Sequence, residues 1–298
     1  MSSRSTLVSL GLPVRNGETR IAQVVASVLA QDHDNIELVI SDNASDDGTE
    51  EICRSLARSD RRVSYHRQAE NIGLNRNFAA VVGLSTGEYF RWVSDDDWLA
   101  PSYVSRCLVA FTEDPRFVRV TTQMSYELGD GTVGSARYQG DGLRSDDPID
   151  RFAEMLRLQN ESYLLLDPVY GLNRRELVAT MKRPDLFRED EVFAARTALA
   201  GPWGHIPEVL AGRSWFFQPL PRMAARLDLP AWQAKAATAL QCRALLAALH
   251  EFELTPAQRR RGRLAVGRFY LRRWRRWAQR GGRKLAALRP TSRRSPAT

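Results

Sequence analysis

The chain has 298 residues, 43% of them apolar and 26% charged, which suits a globular protein with a sizeable core and excludes a disordered one. Its formal net charge of +8 is unevenly placed: fifteen Arg or Lys and no Asp or Glu fall between Ala257 and Thr298, leaving 28 basic against 35 acidic residues elsewhere. An acidic body therefore carries a basic tail, so the overall charge describes the tail and not the body. Cys53, Cys107 and Cys242 lie far apart, with neither metal-ligand spacing nor a disulfide framework, and are expected to be buried apolar residues. The N-terminal apolar run is too short for a signal peptide, and no stretch approaches the roughly 20 apolar residues of a membrane-spanning helix. The expected location is cytoplasmic, in solution or peripheral at the inner face of the membrane.

In chain order, Thr6 to Leu12 is an apolar run ending at Pro13 and predicts a buried strand. Ile21, Val24, Val25, Val28 and Leu29 then recur on one helical face. Ile36 to Ile40 predicts a second strand, Thr49 to Arg58 a second helix and Val63 to His66 a third strand. Asn75 to Leu84 reads as a helix and Glu88 to Val93 as a fourth strand. This alternation predicts a largely parallel sheet with helices on both faces, whose ligands sit at the carboxyl ends of the strands. Polar clusters fall at those ends: Arg15-Asn16, Ser41-Asp42-Asn43 and Ser94-Asp95-Asp96-Asp97. Further on, a helix is expected at Pro101 to Phe111, a strand at Val118 to Tyr126 and a flexible loop at Gly129 to Pro148. Helices near Ile149 to Leu158 and Asp190 to Ala200 follow, then a strand at His205 to Leu210 and helix from Arg222 to about Ala287.

Three adjacent carboxylates at Asp95 to Asp97 repel one another unless solvated or bound to a cation. A hard divalent ion takes carboxylate oxygens and leaves room for substrate phosphates, but a solvated turn before Pro101 would use the same residues. Asp42, at a strand tip, suits a nucleobase imide or ribose hydroxyls, while Ser45, Asp46 and Asp47 suit a turn and helix cap. Glu189-Asp190 opens a helix, where a carboxylate serves either as a dipole partner or as a general base. The four histidines are scattered and read as packing or surface, and neither a dinucleotide-binding fingerprint nor a phosphate loop is present. Trp203, Trp215 and Phe216 are expected to pack in the core rather than to stack on a sugar.

Taken in order and spacing, these segments resemble the inverting family 2 glycosyltransferases of the GT-A fold, closely over Val8 to Trp98 and more loosely around Asp190. Leu12 to Glu18 is similar to the family's opening segment, with Arg15 where an aromatic residue is common. Val39 to Thr49 matches its second-strand signature. Glu70 to Gly73 with Arg76-Asn77 matches the stretch that frames the donor, and Gly87 to Tyr89 leads into the metal motif. Ser94 stands where the family often has aspartate. The resemblance implies an α/β, GT-A domain over 1–222, with a mostly parallel central sheet flanked by helices, and a helical, Arg-rich extension over 223–298. It implies a nucleotide-sugar donor bound by Pro13, Arg15, Asn16, Glu18, Asp42, Asn43, Asn71, Arg76 and Asp95. It implies Mn²⁺ or Mg²⁺ held by Asp96 or by Asp95 with Asp97, of which Asp96 as main ligand, assisted by Asp95 and Asp97, is favoured, and it implies Asp190 as the base for a single displacement with inversion. The acceptor is open: a glycan, a lipid-linked sugar or a small molecule.

In the tail, Val266, Tyr270, Trp274 and Trp277 form a stripe at helical spacing among arginines. That pattern suits a helix on an anionic membrane, or an aromatic face packed on the catalytic domain with solvated arginines. Nucleic acid is disfavoured because no recognised module accompanies the charge. Two other functions compete with transfer: a scaffold of the same fold that has lost its chemistry, against which the intact Asp42, Asp96 and Asp190 argue, and a nucleotidyltransferase, whose Gly-rich opening loop Pro13 to Gly17 matches poorly.

Overall fold

The computed structural model describes residues 6–162, 164–181, 183, 185–215, 223–224, 227 and 229–287, without the side chains at 215, 277 and 279–287. Phe216, the boundary expected at 222/223, and the side chains of Trp215 and Trp277 lie outside the described residues.

Strands β1 (Val8–Val14), β2 (Ile36–Asp42), β3 (Val63–Arg67) and β4 (Tyr89–Trp92) form a parallel set in the order β3-β2-β1-β4. Helices α1 (Ile21–Leu29), α2 (Thr49–Ser59) and α3 (Leu74–Leu84) connect them. Every residue of β1 is buried, so it reads as a continuous apolar run, as expected of a central parallel strand covered on both faces. β1 extends beyond the expected Leu12 through Pro13 to Val14. Its pairing with β4 ends at Gly11 opposite Trp92, so from Leu12 onward β4 no longer covers that edge, where a proline is tolerated.

The second half of the sheet holds short strands that the amino-acid pattern does not announce. The element β5 (Asp97–Leu99) is followed by α4 (Tyr103–Glu113), β6 (Arg119–Leu128) and β7 (Val133–Gly134). After α5 (Pro148–Glu161) come β8 (Leu172–Arg174), α6 (Arg175–Thr180), α7 (Glu189–Ala200) and β9 (Trp203–Trp215). The sheet continues β4-β8-β6-β9-β5, with β8 and β5 antiparallel to their neighbours and β9 parallel to β6. β4 and β5 are adjacent in sequence, yet β5 lies at the far end of this path. Hydrogen bonds from Asp32 N to Pro101 O (2.9 Å) and from Val104 N to Gln31 Oε1 (3.0 Å) tie the residues after β5 back to the end of α1. The sheet therefore curls, and the Ser94 to Asp96 turn spans its open side. The segment expected to be a loop, Gly129 to Pro148, contains β7 and a 3-10 turn at Asp141–Leu143.

Two apolar cores follow from this plan. One lies on the sheet and is built from β1 to β6, β8 and β9, with buried residues of α1 to α4, α6 and α7 packed on them. The other joins α5 and α7 to α8 (Ala231–Glu251) and α9 (Pro256–Ala287), including Leu245, Leu249, Val266 and Phe269. The first half of the Arg-rich extension thus shares a core with the body of the protein. The three cysteines are buried and unpaired.

Candidate active site

The carboxyl ends of β1, β2 and β4 deliver three loops to one place. Asn16 and Ala44 both take left-handed conformations (φ 56° and 54°), which folds the first two loops against each other. Asn16 N donates to Ser45 Oγ (3.0 Å), Asp46 N to Asn16 Oδ1 (3.1 Å), Gly17 N to Thr49 Oγ1 (2.8 Å) and Gly48 N to Glu18 Oε2 (2.7 Å). Glu18 therefore braces the entrance to α2, while Arg15 remains exposed and Pro13 is buried in β1. The third loop joins through an ion pair between Arg20 and Asp95.

Asp42 is fully enclosed at the tip of β2. Its Oδ1 accepts from Ser45 N (2.9 Å) and the Ser45 hydroxyl, and its Oδ2 from the Tyr65 hydroxyl (2.6 Å) and Arg67 Nη1 (3.0 Å). Both oxygens are thus engaged within the protein. Burial, followed by the bond to Asp42, pushes the Tyr65 hydroxyl well above its ordinary range. Asn43 Nδ2 donates to Asn71 Oδ1 (2.7 Å), and Asn43 Oδ1 accepts from Ile72 N (2.8 Å), so the loop before α3 is fastened to the β2 tip. Gly73 makes the turn into α3 at φ 88°, which a side chain would strain. Arg76 is exposed on α3 beside a depression of about 330 Å³ that also touches Trp92, Met181 and Arg183.

The three aspartates of the Ser94–Asp97 turn have different surroundings. Asp95 is held by Arg20. Asp97 is wholly enclosed, accepts from Ser94 N (3.1 Å), and lies 3.8 Å from both Arg91 and Arg213. Burial pushes its carboxyl up to about 7 against the pull of those two cations. Asp96 is partly exposed, 3.6 Å from Arg213, and its Oδ1 has no hydrogen-bond partner. The antiparallel register sets Asp97 opposite Arg213, which explains why an arginine distant in sequence reaches this turn. Arg213 is also 3.6 Å from Asp167, and its guanidinium lies 4.5 Å over the ring of Tyr170. These separations exceed hydrogen-bond length, so one guanidinium is shared among three carboxylates that it does not saturate.

Asp190 approaches from the first turn of α7. The chain enters that helix through Arg188 in a left-handed conformation (φ 61°). Glu189 is held by Arg183, whose Nε donates to Oε1 (2.7 Å), and Arg183 stacks on Phe78, Trp92 and Phe193. Asp190 is raised above the usual carboxylate range by burial first and then by the charge of Glu189, with Asp167 adding to it. Glu191 is also raised, by burial and then by Asp190, and accepts from Gln241 Nε2 (2.9 Å) and from Arg273. Asp167 lies 3.6 Å from Arg213, and its charge adds to the rise at Asp190.

Sequence reasoning singled out Asp190 and the turn aspartates but missed Arg91, Asp167, Tyr170 and Arg213. Arg91 left a signal as a charge inside an apolar strand. Arg213 left none, because strand pairing alone brings it in, and Asp167, in the loop before β8, reads only as a turn residue. His205 takes no part: it meets the Thr121 hydroxyl at 2.9 Å and packs on Tyr138, and burial lowers it to about 4. Trp203 is core, as expected, with Arg119 4.4 Å over its ring. Among the described residues no group of three or more His, Cys, Asp or Glu forms a closed metal cage. An unsaturated Asp96 carboxylate fits a hard divalent ion of the kind bound through one or two carboxylates and substrate phosphates. Asp97, expected as a second ligand, is instead turned into the interior between two arginines.

The family model described as "Glycosyl transferase family 2" matches residues 9–180. The glycosyltransferase GlyG of Streptococcus pneumoniae is 24% identical over 177 residues, covering 58% of each chain. The alignments with the first two curated relatives span 18% and 58% of those proteins' lengths. Residues 1–349 of S. aureus TarS in complex with UDP-GlcNAc superimpose with a TM-score of 0.64 at 15% identity, over 89% of this chain and 72% of that one. The mannosyltransferase PcManGT of Pyrobaculum calidifontis, in complex with GDP-Man and Mn²⁺, gives a TM-score of 0.51 at 18% identity, over 89% and 85%.

Proposed function

Because the chain belongs to glycosyl transferase family 2 and is a glycosyltransferase of the GT-A fold, we propose that it moves a sugar from a nucleoside diphosphate to an acceptor hydroxyl, with inversion, in a single displacement. The observation that carries this reading is the Asp96–Asp97 turn gathered around Arg213, which Asp167 shares, with Asp96 Oδ1 left without a hydrogen bond. A carboxylate with an unsaturated oxygen beside a guanidinium suits phosphate charge, and Asp190, raised by burial, is the carboxylate suited to act as the base.

In this reading the loops around Asn16, Asn43 and Asn71 receive the nucleotide, with Arg15, Glu18 and Arg76 at its border and Pro13 shaping the strand end. Asp42 acts by fixing Tyr65 and Arg67, so that recognition falls to the groups it orients. Asp95 keeps Arg20 at the pocket wall. Asp96 would hold Mn²⁺ or Mg²⁺, which when bound neutralises charge on the diphosphate leaving group. An Asp190 oxygen takes the proton of the acceptor hydroxyl. The acceptor oxygen bonds to the anomeric carbon as the bond from that carbon to the diphosphate oxygen breaks, and the electron pair leaves with the nucleoside diphosphate. Raised basicity suits Asp190 to this task, since a stronger carboxylate base is a better proton acceptor. The solved neighbours bound to UDP-GlcNAc and to GDP-Man support a donor of this class. The enzyme would act in the cytoplasm.

The test is transfer or donor hydrolysis by wild-type protein and Asp190→Asn, over UDP-, TDP- and GDP-sugars with Mn²⁺. One donor class should be turned over by the wild type, and the variant should lose activity while still binding that donor. Normal turnover by Asp190→Asn would overturn the base assignment.

A further inference from the structure

The aromatic stripe of α9 divides when placed on the structure. Val266 and Phe269 enter the core with α5, α7 and α8, and Arg273 on the same side bonds Glu191, Gln241 and Asn160. Tyr270 and Trp274 face outward, 42% and 54% exposed, with Leu264 and Leu271 at 53% each. Leu264, Gly267, Leu271 and Trp274 stand at i, i+3, i+7 and i+10, which is one continuous stripe on a helix. Beside it, an open depression of about 580 Å³ runs between α8 and α9, lined by Cys242, Leu246, His250, Arg263, Gly267 and Tyr270. Leu246 is itself 39% exposed. Soluble proteins seldom gather this many large apolar side chains on one surface without a partner.

The charge around the stripe identifies the partner. Arg260, Arg263, Arg268, Arg272, Arg275 and Arg276 are exposed on the same helix. Its ion pairs to carboxylates, among the described residues, are those of Arg261 with Asp147 and Asp150 and of Arg273 with Glu191, each joining the helix to the body of the protein. The outward arginines are left for an external anion. A second copy of the same face would set arginine against arginine. A nucleic acid would match the charge and leave the leucines and the indole in water. An anionic lipid surface matches both: acyl chains for the apolar stripe, headgroups for the guanidinium rim. No helix among the described residues is long and apolar enough to cross a membrane, so the helix would lie on the surface.

We propose that the outer face of α9, with Leu246 of α8, is a docking surface for anionic lipid bilayers, and that α9 is held rigidly for this purpose by Arg273 and the core residues on its opposite side. Docking needs neither donor nor acceptor, so its test stands apart from that of sugar transfer.

The experiment is flotation of the full chain with phosphatidylcholine vesicles and with vesicles of phosphatidylcholine and phosphatidylglycerol in a 3:1 ratio, roughly the anionic content of a charged leaflet. Wild type should partition at least about tenfold more strongly onto the anionic vesicles, and raising the salt to about 0.5 M should release most of it. The triple variant Tyr270→Ser, Leu271→Ser, Trp274→Ser alters exposed side chains and should fold normally by circular dichroism, while losing about tenfold or more in partitioning. Arg268→Gln with Arg272→Gln and Arg275→Gln should abolish the preference for anionic lipid. Equal binding to both vesicle types, no binding to either, or full binding by the serine variant would each overturn the proposal. So would a duplex DNA oligonucleotide that displaces wild type from vesicles and binds the serine variant undiminished, since the surface would then be a polyanion site.

Discussion

The two walls of the cleft differ in how completely their polar groups are satisfied. On the β1–β3 wall, Asp42 has both oxygens engaged by Ser45, Tyr65 and Arg67, and Asn16, Glu18 and Asn43 each bind a neighbouring loop. On the β5–β9 wall, Asp96 and Asp97 each keep an oxygen without a hydrogen bond, Arg213 is shared among three carboxylates, and Asp190 is raised by burial. A saturated network fixes shape, because breaking any member leaves a buried group unpaired. An unsaturated one holds capacity for a ligand that brings the missing charge. On the proposed function, the first wall would be a mould for the donor, and the second would hold the chemistry.

The largest expected effect lies on the second wall. Asp190→Asn should lower kcat by about 10²–10⁴-fold, the usual contribution of a general base, with donor affinity changed less than about twofold. Initial rates beside a donor titration separate the two. Next, Arg213→Ala leaves Asp96, Asp97 and Asp167 facing one another, and should cost about 3 kcal/mol of stability as well as activity, measured by urea unfolding. Across the cleft, Asp42→Asn should cost about 1–3 kcal/mol by weakening the Tyr65 and Arg67 bonds, and should loosen donor binding without a selective loss of kcat. If Asp42→Asn lowered kcat alone, the division between mould and chemistry would fail.

A smaller effect concerns pH. Asp190 must be ionised to accept a proton, and its pKa is raised by burial and by Glu189. The acidic limb of kcat/KM should therefore lie above the ordinary carboxylate range, with activity rising as pH rises through it. Glu189→Gln removes a like charge and frees Arg183 to act on Asp190, and both changes shift that limb to lower pH. A limb that stays in place would mean that another group titrates.

The difference between the walls also explains what could be read from sequence. The first wall is local: apolar strands, amphipathic helices and turn residues follow one another from Val8 to Trp92, and each loop lies directly after its strand. Its outline, including Asn16, Asp42 and Asn43, was legible from that pattern. The second wall depends on pairing. β5 has three residues and exists because Asp97, Trp98 and Leu99 bond Arg213, Gly212 and Ala211 of β9. No periodicity in Asp-Trp-Leu or in Leu-Asn-Arg of β8 marks a strand. Asp190 was singled out by the family resemblance, since a carboxylate pair opening a helix left its role undecided, whereas Asp167 reads as a turn residue whose Oδ1 accepts from Val169 N and Tyr170 N. Burial, too, is nonlocal: nothing in Ser-Asp-Asp-Asp distinguishes the enclosed Asp97 from the partly exposed Asp96.

On the proposed function, a donor diphosphate fills the unsaturated wall through Asp96. Calorimetric titration of UDP, TDP and GDP onto wild type and Asp96→Ala, each with Mn²⁺ and again with EDTA, tests it most directly. One diphosphate should bind wild type with Mn²⁺, and bind at least about tenfold more weakly with EDTA or in Asp96→Ala, a loss of about 1.4 kcal/mol or more. Binding indifferent to both the cation and the substitution, or no binding of any of the three, would contradict it.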